Sequence, residues 1–276
     1  MTRRCATIIR KQGLGPETAG PGSFVVVHVP HAATAIPTGV RAELLLDDGE
    51  LEAELIRMTD WHVDKLFAPL LELGATMFVN RFSRLVFDPE RFTDDAAEPA
   101  AAVGQGVVYT QTSAGWPLRR FTAAQRSRRI AEYYDPYHVE LTALVAQTLD
   151  RHGRCLILDC HSFPGEPPLP AAVSSARPDI CLGTDEIHSP PILVDWLQAA
   201  LVAEGFWVLL NEPFAGTLVP MAYYGRDSRV SSIMIEVRRE LYANETTGQL
   251  RPAFAPVQAR LAQAIKTVLS QDCESE

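Results

Sequence analysis

The chain has 276 residues, of which 47% are hydrophobic and 21% charged, a composition that suits a globular protein with a large core. A formal net charge of -9 argues against a nucleic-acid partner, because such proteins usually present a basic surface. No apolar run approaches the roughly 20 residues that cross a bilayer, and the basic N-terminus lacks the apolar stretch of an export signal. We therefore expect a soluble, cytoplasmic protein without membrane contact; its oligomeric state is left open.

In chain order, residues 1–22 are rich in Gly, Pro and charge and predict a loose lead-in with at most one edge strand. Residues 23–276 are expected to form a single domain. Unbroken apolar runs predict strands at 24–29, 155–160 and 231–237, with shorter candidates at 76–80, 85–87, 180–182 and 206–211. Helical periodicity covers 42–58, 61–73, 123–149, 191–204 and 255–269. The Pro- and Gly-containing stretches 94–106 and 162–177 are predicted loops.

This alternation of strands and helices predicts an α/β fold with three layers, in which a mixed, mostly parallel sheet has helices on both faces. Strand runs without polar alternation agree, because strands that are covered on both faces lose the period of two. The five cysteines form no CxxC pair, so we expect them to be reduced.

Polar side chains follow or end the three longest predicted strands. His28 and His31 come from the first, Asp159 and His161 from the second, and Glu236 from the third. In open α/β sheets, ligands bind outside the carboxyl ends of the strands. The sequence therefore places a candidate site at this edge of the sheet.

Two histidines and a carboxylate are a common protein ligand set for a catalytic zinc, which keeps a further position for water. His31 and His161 supply the histidines. Asp60 and Asp64 are four residues apart, which predicts that both lie on one face of a helix, with Asp60 at its start. Either aspartate can be the third ligand. Each residue also has a structural alternative: a histidine can be a hydrogen-bonded polar residue, and Asp60 can be a helix N-cap.

Glu236 lies inside the apolar run SSIMIEV, where a carboxylate is costly to bury unless it is paired or functional. We expect it to be a general base that takes a proton from water. A salt bridge to Arg238, Arg239 or another arginine is the structural alternative.

The segment NRFSRLVFDPER contains Arg81, Arg84 and Arg91, and an arginine fork matches a carboxylate in two hydrogen bonds. The cluster suits a small anionic substrate. Surface pairing with neighbouring acidic residues is the alternative, and we favour it for Arg81. Asn80 and His138 are further candidates for substrate contact.

The segments VPHAATAIP, TDWHVDKL, NRFSRLVFDPER, YYDPYH, LDCHSFPG, NEPFAGTLVPMAYYG and IMIEVRRELYANE occur in the order and rough spacing of one known family. Over about residues 24–245 the chain resembles the N-formylglutamate amidohydrolases, relatives of the zinc carboxypeptidases and aspartoacylases. The resemblance implies a carboxypeptidase-like fold, one zinc ion and hydrolysis of an N-acyl amino acid. It implies metal binding by His31 and His161, catalysis by Glu236, and binding of substrate carboxylates by Arg84 and Arg91.

The chain also departs from the family pattern. Ala32 and Ala33 replace the Ser-Gly that commonly follows the first histidine, Glu90 stands where asparagine is common, and Gly216 is single where a glycine pair is common. The negative charge of Glu90 would lie near the expected carboxylate pocket.

Three alternatives to hydrolysis of N-formylglutamate therefore remain open. The chain can be a zinc hydrolase of another N-acyl amino acid or small peptide, or a non-catalytic protein that binds a metal or ligand. A cysteine hydrolase built on Cys160 and His161 is the third, but adjacent residues of a strand point to opposite faces.

Overall fold

The structure, a computed structural model, describes residues 4–11, 20, 22–166 and 177–274. Within these residues one seven-stranded sheet has the order β1-β3-β2-β4-β7-β5-β6. The strands are β1 (Ala6–Ile9), β2 (Val25–Val29), β3 (Thr76–Asn80), β4 (Cys155–Phe163), β5 (Ile180–Gly183), β6 (Val208–Leu210) and β7 (Val230–Arg238). The pairs β1–β3 and β5–β7 are antiparallel and the other neighbours are parallel, so the predicted mixed, mostly parallel sheet is confirmed.

The described helices are α1 (Thr38–Arg41), α2 (Asp48–Met58), α3 (Val63–Leu66), α4 (Ala123–Arg129), α5 (Asp135–His152), α6 (Pro191–Ala203) and α7 (Phe254–Glu274). A π-helical turn at Ile130–Tyr134 joins α4 to α5, so the long helical pattern that began at residue 123 is one nearly continuous element. None of the described helices is long and apolar enough to span a membrane.

Two apolar cores, one on each face of the sheet, make three layers. One core joins α3, α6 and α7 to the face that carries Val27, Leu158 and Ile235. The other joins α5 to the face that carries Val26 and Ile157. The period of two within each strand explains this division, because alternate side chains point to opposite faces. The predicted three-layer α/β fold is confirmed.

The same period places the polar residues of the site. Facing the α5 layer, His28 of β2 pairs with Asp159 of β4, and His161 of β4 pairs with Glu236 of β7. Because β2, β4 and β7 run parallel, their carboxyl ends meet at one edge of the sheet, where these four side chains lie.

Several element predictions were wrong at their boundaries. The buried residues 85–87 do not form a strand: 85 and 86 lie in a turn, in which Val86 N–H donates to the Ser83 carbonyl at 2.8 Å. Helix α2 begins later than predicted, because Asp47 caps it in a capping box with Glu50. Within the lead-in, β1 forms the edge strand, while residues 1–3, 12–19 and 21 lie outside the described residues, as do 167–176 of the second predicted loop.

Candidate active site

Three buried side chains meet at the carboxyl edge of the sheet. His31 follows β2, His161 lies near the end of β4, and Asp60 follows α2. The Nδ1 atom of His161 is 3.3 Å from Nδ1 of His31 and 3.2 Å from Oδ2 of Asp60. The third separation, from Nδ1 of His31 to Oδ2 of Asp60, is 3.7 Å.

These three donor atoms fit a small divalent cation. A tetrahedral site with bonds of about 2.1 Å has ligand atoms about 3.4 Å apart. The three separations lie on either side of that value, and the set of two imidazoles and one carboxylate is one that a catalytic zinc uses.

Asp64 does not belong to this group of donors. The prediction that Asp60 and Asp64 share one helical face was wrong, because the helix does not start at Asp60. His62 has a left-handed backbone with φ of 62°, and its ring nitrogen Nε2 lies 2.7 Å from the Gly248 carbonyl oxygen. Helix α3 therefore begins only at Val63, and Asp60 turns towards the histidines.

Two of these three donors, His31 and Asp60, are fixed by hydrogen bonds on the side away from the group. His31 Nε2 lies 2.9 Å from Oδ1 of Asp88, which is fully buried. Arg239 donates to Oδ1 of Asp60 at 3.3 Å and to Ser162. Burial raises the pKa of Asp60, but its hydrogen bonds with His161 and His31 outweigh this effect and hold the pKa well below its ordinary value.

The sequence reasoning missed Asp88 and Arg239 as site residues. From the sequence alone, Asp88 is one of the acidic neighbours of the arginines and Arg239 a possible partner of Glu236. The run VFDPER held one signal for Asp88, because an acidic residue directly after the buried residues Val86 and Phe87 needs a partner there.

The far side of the His161 ring faces two more carboxylates. Its Nε2 is 3.1 Å from Oδ1 of Asp159 and 3.1 Å from Oε1 of Glu90. Burial lowers the pKa of His161, but Glu90, Asp159 and Asp60 together raise it well above its ordinary value. The ring therefore lies between carboxylates, with Asp60 at Nδ1 and with Asp159 and Glu90 at Nε2.

Glu236 lines the same cavity and is 9% exposed. Its Oε2 is buried and has no hydrogen-bond partner among the described residues. Burial raises the pKa of Glu236 to about 7, His161 opposes the shift, and Asp60 and Glu90 add to it. No ion pair joins it to Arg238 or Arg239, which bind Asp179 and Asp60 in the described part of the chain. A carboxylate in this state can accept a proton near neutral pH.

The site opens into a cavity of about 950 Å³ that Arg84 and Arg91 also line. Arg84 is bound to Asp88 at 3.0 Å. Arg91 is less committed, because its ion pairs to Asp88 and Glu98 are 3.9 and 4.0 Å long and its buried Nε has no hydrogen-bond partner among the described residues. Arg81 is exposed and outside the cavity.

Asn80 and His138 have different positions. Asn80 does not line the cavity. Its side-chain amide donates to the Pro30 carbonyl at 2.9 Å and accepts from the Phe82 N–H at 3.1 Å. His138 does line it. Burial lowers the pKa of His138 to about 4, so the ring is neutral and donates from Nε2 to the Pro89 carbonyl.

Cys160 does not support a cysteine hydrolase. It is fully buried in the core on the opposite face of the sheet from His161, and its thiol donates to the Leu158 carbonyl. Burial raises the pKa of the thiol well above its ordinary value, which disfavours the nucleophilic thiolate.

Comparisons with known proteins place the whole chain in one family. A family model described as N-formylglutamate amidohydrolase matches residues 23–243. The N-formylglutamate deformylase of Pseudomonas aeruginosa is 30% identical over 258 residues, covering 91% of each chain. That of Pseudomonas putida is 27% identical and covers 91% of this chain and 94% of its own. The crystal structure of N-formylglutamate amidohydrolase from Ralstonia eutropha JMP134 matches with a TM-score of 0.82 and 27% identity, over 99% of this chain and all of that one.

Proposed function

Because the chain belongs to the N-formylglutamate amidohydrolase family, a family of amide-hydrolysing enzymes, we propose that it hydrolyses N-formyl-L-glutamate to formate and glutamate with the help of one zinc ion. One observation carries this proposal. His31, Asp60 and His161 form a donor group for a divalent cation, and Glu236, whose Oε2 has no hydrogen-bond partner among the described residues, lines the same cavity.

His31 Nδ1, His161 Nδ1 and Asp60 Oδ2 are the atoms that would hold the zinc ion. Bound there, the ion would polarise the formyl carbonyl and make a water molecule more acidic. Asp88 keeps the His31 ring in the orientation that presents Nδ1, and Arg239 does the same for the Asp60 carboxylate.

Glu236 accepts a proton from the attacking water as a new C–O bond forms to the formyl carbon. It then gives the proton to the glutamate nitrogen as the C–N bond breaks, so that formate and the amine leave. General acid–base catalysis of this kind increases the rate by about 10²- to 10⁴-fold. The raised pKa of Glu236 suits both steps, because the group gains and loses a proton within one turnover.

Arg91 holds a substrate carboxylate. Its buried Nε is a donor without a partner among the described residues, and its two ion pairs are long, so a carboxylate that enters the cavity meets an available guanidinium. Arg84 contributes positive charge nearby while it stays bound to Asp88.

Amine release from N-formyl-L-glutamate by the purified, zinc-loaded protein tests the proposal, with N-acetyl-L-glutamate and N-formylglycine as comparison substrates. We expect Arg91→Met to raise KM for formylglutamate by about 10- to 100-fold, the range expected for a lost charged hydrogen bond. Arg81→Met is the matched control, because Arg81 is exposed and outside the cavity.

Amine release from another acyl amino acid, without release from formylglutamate, would refute the proposed substrate but support the proposed hydrolase activity. A protein that binds zinc and releases amine from none of the three substrates would overturn the proposed reaction.

A further inference from the structure

A second group of possible metal ligands lies beside the first. His28, Asp159 and Glu90 bring one donor atom each within 4.8 Å of one another. His28 Nδ1 is 2.8 Å from Oδ1 of Asp159 and 3.7 Å from Oε1 of Glu90. His28 is fully buried and Asp159 nearly so, whereas the Glu90 side chain is 14% exposed and lines the cavity.

The second group is built like the first. His31 has its Nε2 against Asp88 at 2.9 Å and presents Nδ1 to the first group. His28 has its Nε2 against the Tyr137 hydroxyl at 2.6 Å and presents Nδ1 to the second. A histidine that binds a metal almost always donates its other ring N–H to a fixed partner. Tyr137 provides that partner to His28.

The ring of His161 lies between the two groups. Its Nδ1 belongs to the first, and its Nε2 is 3.1 Å from both carboxylates of the second. The two separations from His28 Nδ1, 2.8 and 3.7 Å, and the two from His161 Nε2, both 3.1 Å, lie around the value of about 3.4 Å for a tetrahedral site.

The charges of Glu90 and Asp159 also favour a bound cation. In the described part of the chain, the ion pairs of Glu90 and Asp159 within 4 Å all go to histidines, with no arginine or lysine among them. Buried carboxylates are normally paired with a cation or bound to a metal. The other oxygen of Asp159 accepts from the Leu218 N–H at 2.9 Å, which fixes the carboxylate without neutralising it.

We propose that this chain binds a second divalent first-row cation, such as Zn²⁺, through His28 Nδ1, Asp159 Oδ1 and Glu90 Oε1, with the His161 ring between the two ions. Asp159 alone could serve only to orient His161. The carboxylate of Glu90 adds a second negative charge that favours a metal ion, and an amide at that position would supply no charge. The second ion would bring positive charge next to the pocket of an anionic substrate. The inference is separate from the proposed reaction.

Zinc titration of the metal-free protein, followed by calorimetry and by elemental analysis of the loaded protein, tests the second site. We expect two zinc ions per chain in the wild type and one in Glu90→Gln. Asp60→Asn removes a donor of the first group only and should also leave one ion. Glu245→Gln is the matched control, because Glu245 lines the cavity outside both groups, and it should keep two ions.

A second readout does not depend on counting. Two Cu²⁺ ions on either side of one imidazole ring should couple, so the electron paramagnetic resonance signal per copper should fall as the second ion binds. Glu90→Gln should restore the signal of an isolated ion. One ion per chain in the wild type, or two in Glu90→Gln, would overturn the second site and leave the first. No bound ion in the wild type would overturn both.

Discussion

Replacing Asp88 by Asn should weaken metal binding although Asp88 touches no proposed ion. Its carboxylate accepts hydrogen bonds from Arg84 at 3.0 Å, from the Tyr109 hydroxyl at 2.6 Å and from the Glu90 N–H at 3.0 Å, and Oδ1 lies 2.9 Å from His31 Nε2. Burial raises the pKa of Asp88, but the charges of His31 and Arg84 outweigh it and hold the pKa well below its ordinary value. The group is therefore a charged carboxylate that orients His31 and increases its basicity.

The change keeps the size of the side chain and removes its charge. Loss of such a partner of a metal-ligating histidine typically costs about 10- to 100-fold in metal affinity. Each tenfold step corresponds to about 1.4 kcal/mol, so the expected loss is about 1.4–2.8 kcal/mol. The value should fall towards the upper end, because Arg84 and His31 both lose the same counter-charge.

Competition with a chromophoric chelator for zinc measures this loss directly, and circular dichroism verifies that the variant is folded. Asp60→Asn should lose the first site altogether. Asp135→Asn, at an exposed position at the start of α5, should leave the affinity unchanged. An unchanged affinity in folded Asp88→Asn would refute the inference that His31 binds through Nδ1 while Asp88 holds its Nε2.

Three further outcomes are expected. Glu236→Gln should retain zinc, measured by elemental analysis, and lose about 10²- to 10⁴-fold in kcat, and turnover at the wild-type rate would exclude Glu236 as the base. Glu236 is a base only above its pKa, so kcat/KM should fall as the pH decreases through that value. Burial raises this pKa and a bound cation lowers it, so we expect an apparent pKa between 4.5 and about 7. A profile that is flat from pH 8 to pH 4 would contradict the assignment of Glu236 as the base. Asp47→Ala removes the capping hydrogen bond to the Glu50 N–H and should cost about 1 kcal/mol, seen as a fall of about 2 °C in Tm without a change in zinc content.

The fold was predictable where one interaction dominates. Residues 24–29, 155–160 and 231–237 are mostly apolar without a polar alternation, a pattern that is typical of strands covered on both faces of a sheet. The run at 85–87 is equally apolar but forms a turn, because the Ser83 carbonyl and hydroxyl take the N–H groups of Val86 and Leu85. Burial predicts where a segment lies, and local hydrogen bonds decide which backbone it adopts there.

The ends of these strands also predicted His31, His161 and Glu236 as neighbours, because parallel strands bring their carboxyl ends together. The partners of these residues were not predictable in the same way. Asp88 and Arg239 reach the site from a turn and from a 3₁₀ segment after β7, and no periodicity specifies where such segments point.

Asp60 and Asp64 show the same limit in the choice of a candidate metal ligand. Their spacing predicts one helical face, and helical propensity alone does not distinguish them. The left-handed backbone of His62 decides between them, and this conformation is uncommon for a residue other than glycine. The His62 ring contacts the carbonyl of Gly248, a residue 186 positions later in the chain. A contact formed only in the folded protein thus stops the helix, turns Asp60 towards His31 and His161, and leaves Asp64 on α3, outside the group.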